Sequence, residues 1–77
     1  MPLNDDDLDA RLLTAHRARD KAGLVRLYTE AADRREAEGN IDAACFYLTH
    51  AYVFALDTGR AEAAHLHQRL KDKGREE

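Results

Sequence analysis

Ile41-Asp-Ala-Ala-Cys-Phe-Tyr-Leu-Thr-His-Ala-Tyr-Val-Phe-Ala-Leu56 is the stretch on which the fold turns. Its sixteen residues hold one charge, Asp42, at the front. Across the whole 77-residue chain, 35% of residues are charged, so this run has to be the middle of the fold. Read at 100° per residue, it has two apolar faces. Ile41, Ala44, Cys45, Leu48, Ala51, Tyr52, Ala55 and Leu56 share one, and Phe46, Tyr47, His50, Val53 and Phe54 lie on the other. A helix apolar all round is covered all round. Either the flanking helices close over the second face, or part of it meets another chain.

Composition points to helices throughout. Fourteen alanines stand against one proline, Pro2, and Ala is the strongest helix former while Pro is the weakest. Upstream of the central run, Gly39 is suited to the left-handed residue that ends a helix and Asn40 to the N-cap that starts the next. Downstream, Asp57, Thr58, Gly59 and Arg60 form the same kind of break. Asp20 is the equivalent cap one step earlier. At the N-terminus, Asn4 caps a helix whose first turn holds Asp5, Asp6 and Asp7, matched to the helix dipole, with Leu3 and Leu8 placed as a hydrophobic staple. The expectation is all-α, with four antiparallel helices at about 5–18, 21–38, 41–57 and 60–73. They form one small domain spanning 1–77, with 1–3 and 75–77 frayed.

The buried stripes follow from the 3.6-residue period. Helix 1 offers Leu8, Leu12 and Ala15, with Leu13 off the stripe. Helix 2 offers Leu24, Leu27, Tyr28, Ala31, Ala32 and the stem of Arg35. Gly23 near its start costs about 1 kcal/mol relative to Ala. Helix 4 has only Ala63, Leu66 and Leu70.

The breaks repeat. Gly39, Asn40, Ile41, Asp42, Ala43, Ala44 matches Gly59, Arg60, Ala61, Glu62, Ala63, Ala64 at a spacing of twenty residues. Periodicity of this size marks helical repeat architectures. Residues 23–60 resemble a tetratricopeptide (TPR) unit with elongated helices. Tyr28 stands early in the first helix, Ala32 in its middle, Gly39 at the turn, Ala44 and Ala51 in the second helix, and Tyr47 and Leu48 between them. Arg35 stands where an aromatic is common, no proline follows the second helix, and the helices exceed those of the usual ~34-residue unit. The resemblance implies a right-handed array of helical hairpins and a protein-binding role by analogy of fold. Helix 4 is then a polar terminal cap, or else the last helix of a four-helix bundle.

Chemistry finds little purchase. His65 and His67 are two apart and diverge on a helix, whereas a helical metal pair needs a spacing of three or four. Cys45 and His50 fall on different faces, and Cys45 reads as a small core residue. The aspartates at the N-terminus lack the glycine and spacing of a calcium loop. No catalytic residue, metal or cofactor is assigned. Net charge is -3, and the arginines of helices 1 and 2 are interleaved with acids, which argues against nucleic acid. The central run is too short and polar for a membrane span, and the N-terminal residues do not form a signal peptide, so a cytoplasmic protein is expected. The function expected is a non-enzymatic interaction adaptor. Its partner is a protein, a peptide or a second copy of itself, contacted through Phe46, Tyr47, His50, Val53 and Phe54. The alternative is a small helical regulator with a ligand between its helices.

Overall fold

The structure, a computed structural model, describes residues 6–75. Four helices follow in order: α1 Asp6–Ala18, α2 Lys21–Ala37, α3 Ile41–Asp57 and α4 Glu62–Asp72. There is no strand among the described residues. The expected cap at Asn4 and staple at Leu3 lie outside them.

Two of the expected caps are made by the side chains named from sequence. The Gly23 N–H donates to Asp20 Oδ1 at 2.9 Å, and the Ala43 N–H to Asn40 Oδ1 at 3.2 Å. Helix α4 starts two residues later than expected, at Glu62. Arg60 carries no short acceptor to cap it, and the connection closes with tight bonds from the Ala63 N–H to Arg60 O and from the Ala64 N–H to Ala61 O.

The helix ends repeat one device. Arg19, Gly39, Gly59 and Gly74 all have positive φ, at 56°, 82°, 65° and 75°. Behind each, the next N–H reaches back five residues: Asp20 to Ala15, Asn40 to Arg35, Arg60 to Ala55 and Arg75 to Leu70, at 2.9–3.0 Å. This is the Schellman closure, which satisfies carbonyls the helix leaves unpaired. The first three fall at twenty-residue intervals, so the repeat seen in sequence is also a repeat of backbone geometry. Arg19 occupies the glycine position without being glycine.

Backbone contacts link α1 to α2, α2 to α3 and α3 to α4 alone, and α1 does not meet α4. The helices therefore do not close a bundle around one core. They are stacked in chain order, and the shortest dimension of the Cα trace is 14 Å, about the thickness of two helix layers at 8–10 Å spacing. Two buried clusters result. One joins Val25, Ala32, Cys45, Leu48, Ala51, Ala55, Leu66 and Leu70 across α2, α3 and α4. The other joins Leu8, Ala15, Leu24, Leu27 and Ala31 across α1 and α2. Tyr28, Tyr47 and Phe54 pack against both. Ala32, Ala44, Ala51 and Ala55 are fully buried, and their small side chains let α2 and α3 approach closely. Val25, absent from the expected stripe of α2, is 2% exposed. Ion pairs tie α4 to α2: Arg69 to Asp33 at 2.8 Å and to Glu36 at 3.0 Å, and Lys73 to Glu36 at 3.1 Å.

Candidate functional site

Helix α3 divides into three strips. The first, Ala44, Cys45, Leu48, Ala51 and Ala55, is buried. Ile41 and Leu56, expected on this face, are exposed instead. Ala44 and Ala55, in the same first and last turns, are fully buried, so the exposure follows from position around the helix and not from nearness to its ends.

The second strip is aromatic and half-buried: Tyr47, His50 and Phe54. It meets Tyr28 of α2, whose ring is parallel to Phe54 (centroids 6.0 Å, 8°), near-parallel to Tyr47 (6.2 Å, 28°) and 5.1 Å from His50. His16, at the end of α1, completes the group. Its ring lies edge-on to Phe54 at 6.0 Å, and its Nε2 shares a 2.8 Å hydrogen bond with the Tyr28 hydroxyl. Burial, with the neighbouring Tyr47, pushes the Tyr28 phenol above its ordinary value. These rings join the two buried clusters. Offset aromatic pairs contribute roughly 0.5–1.5 kcal/mol each beyond the area they bury, so this strip holds α1 onto the rest.

The third strip is open. Phe46 is 59%, Val53 54% and Leu56 56% exposed, and Thr49 lies among them, also exposed. Two polar groups on and beside it bond back to α3 itself. The Thr49 hydroxyl donates to the Cys45 carbonyl at 2.9 Å. The His50 Nδ1 lies 2.9 Å from the Phe46 carbonyl; that oxygen can only accept, so Nδ1 carries the proton. Asp42 closes the N-terminal end of the strip and is bound to Arg75. At the C-terminal end, Asp57 is bound to Lys21.

Of the five residues named from sequence, Phe46 and Val53 therefore stand on open surface. Tyr47, His50 and Phe54 stand against α1 and α2. Thr49 and Leu56 were not named. Residues 42, 46, 49, 53 and 56 are separated by four, three, four and three, the spacing of a helix–helix seam, and that signal was present in the sequence.

Elsewhere, an open groove of about 490 Å³ runs between α1 and α2, lined by Ala10, Thr14, Ala18 and Gly23 and crossed by the 3.3 Å pair of Arg11 and Glu30. Among the described residues, no group of three or more His, Cys, Asp or Glu is placed to hold a metal ion, and no helix is long and apolar enough to cross a membrane. No family model matches the chain, and neither a curated protein nor a solved structure matches it.

Proposed function

We propose that this chain is a TPR-like helical scaffold that binds protein, without catalysis, through the open strip of α3. In this reading the four helices run antiparallel in a right-handed array, with α1 and α3 in one layer and α2 and α4 in the other. Chain-order stacking, the twenty-residue recurrence of caps and closures, and fully buried alanines at the α2–α3 contact support that arrangement. Helix α4, with Leu66 and Leu70 as its buried residues and a charged remainder, serves as the polar cap.

The observation that carries the function is the combination at Phe46, Thr49, Val53 and Leu56. A contiguous apolar strip on a domain this small marks a contact surface, and the Thr49 hydroxyl within it already bonds to the Cys45 carbonyl. A small-molecule regulator is the second reading. Its support is the α1–α2 groove, whose lining of small residues leaves room for a ligand.

Photo-crosslinking separates the two. A photoreactive residue at position 53, introduced in cells, yields covalent protein adducts that Phe46→Ser abolishes. Absence of adducts, together with stabilisation by a metabolite that Ala18→Leu in the α1–α2 groove removes, overturns the scaffold reading.

A further inference from the structure

We infer that α1 is a latch: it opens as one unit about Arg19 while α2, α3 and α4 stay folded, and in opening it uncovers an apolar face of α2 and α3. The division of the core permits this. The larger buried cluster draws on α2, α3 and α4 alone, so it survives when α1 leaves. To the smaller cluster α1 gives Leu8 and Ala15, with Leu12 partly buried beside them. The α1 backbone approaches α2 but neither α3 nor α4. Thirteen residues make up α1, and an isolated helix of about 12–15 residues or fewer is marginal in water. Once undocked, α1 therefore loses its helical hydrogen bonds too, and undocking and unwinding are one event.

The hinge favours opening, and the ties across it are exposed. Arg19 and Asp20 are the whole connection between α1 and α2. Arg19 holds a φ of 56°, a left-handed conformation that its Cβ disfavours, and opening releases it. Asp20 stays with α2, because its Oδ1 accepts from the Gly23 N–H, so the start of α2 keeps its cap. Arg11 reaches Glu30 at 3.3 Å with both side chains exposed, a kind of pair that contributes little. Glu30 keeps Arg34, at 2.8 Å, when Arg11 leaves. His16 is the clasp, with Nε2 sharing a hydrogen bond with the Tyr28 hydroxyl and its ring edge-on to Phe54.

The face beneath α1 is Leu24, Leu27 and Ala31 with the rings of Tyr28, Tyr47 and Phe54. Tyr47 in turn lies edge-on to Phe46 at 5.4 Å, so the uncovered face runs into the open strip of α3. The latch thus sets how much apolar surface the chain presents: the strip alone when closed, the strip joined to the α2 face when open. It does not depend on what the strip binds.

Native-state hydrogen exchange of the full chain across low urea concentrations tests this. The amides of Leu12 to Ala18 are expected to show a common protection factor, about a hundredfold below that of Leu48 and Ala51, with a shallower dependence on urea because less surface is exposed. Ala51→Gly, a mild change within α3, lowers the protection of α3 about fivefold and leaves that of α1 unchanged. Equal protection and equal urea dependence in α1 and α3 overturn the latch, as does a loss in α1 that follows the loss in α3. Protection in α1 that falls off gradually towards its ends with no response to urea is fraying, and overturns it too. None of these results bears on position-53 adducts, so the scaffold reading stands or falls separately.

Discussion

The ring of Phe54 lies parallel to that of Tyr28, 8° from coplanar orientation with centroids 6.0 Å apart, while Phe46, two turns earlier on the same helix, is 59% exposed. Two phenylalanines on one helix thus have different work. Truncation separates them. Phe54→Ala is expected to cost about 2 kcal/mol, less than the 3–5 kcal/mol of a fully buried Phe because its ring is half-buried. Phe46→Ala should change stability by less than about 0.5 kcal/mol. Urea unfolding of the two variants at low concentration checks the contrast, and equal losses would remove the division of α3 into strips.

Arg19 holds a φ of 56° at the closure where the later repeats have glycine. A left-handed conformation costs a residue with a Cβ roughly 1–2 kcal/mol, and the greater freedom of glycine in the unfolded chain offsets part of that. Arg19→Gly should stabilise the domain by about 0.5–1 kcal/mol and raise Tm by about 4 °C. A lowered Tm would mean that the Arg19 side chain has a stabilising role that the geometry does not reveal.

The caps at Asp20 and Asn40 are each a single side-chain acceptor for one helix-start N–H. Asn40→Ala should lose about 1 kcal/mol, while Asn40→Asp keeps the acceptor and most of the stability. Chemical denaturation of the pair decides whether the acceptor oxygen is what matters.

Titration acts at both ends of the pH scale. Burial raises the Tyr28 phenol in the folded chain, so the unfolded chain gives up that proton first. The stabilisation is full below about pH 10 and is lost as pH rises through the raised folded value. Tyr28→Phe should remove this alkaline loss. At the acid end, hydrogen bonds from Lys73 and then Arg69 hold Glu36 below the usual carboxylate range. The α2–α4 link is whole above about pH 4.5 and weakens as pH falls through the lowered value. The effect is small, because Glu36 faces solvent. Thermal melts across pH on wild type, Tyr28→Phe and Glu36→Gln measure both limbs.

Much of the fold was legible because its signals are local. Asp20, Asn40, Gly39 and Gly59 act on their own backbone within a few residues, and each performs the role its type suggests. The buried alanines were legible from period alone. What failed depends on neighbours. Ile41 and Leu56 lie within the angular limits assigned to the covered face, and only the placement of the neighbouring helices shows where that cover stops. Phe46 and Phe54 both belong to the second apolar face, and only the placement of Tyr28 and His16 distinguishes them. Arg19 carries no sequence mark of a left-handed residue. The seam at Phe46, Thr49, Val53 and Leu56 was readable as spacing, but its openness required knowing that α1 reaches Phe54 and stops there.

The central claim is that α3 is buried along Ala44 and Ala51 and free to bind along Phe46, Thr49, Val53 and Leu56. Side-chain NMR spectra of the labelled chain with a soluble paramagnetic probe test it most directly. Line broadening within α3 that is strongest at Phe46, Thr49, Val53 and Leu56 and weakest at Ala44, Leu48 and Ala51 is predicted. Broadening of equal strength around the whole of α3 would contradict it.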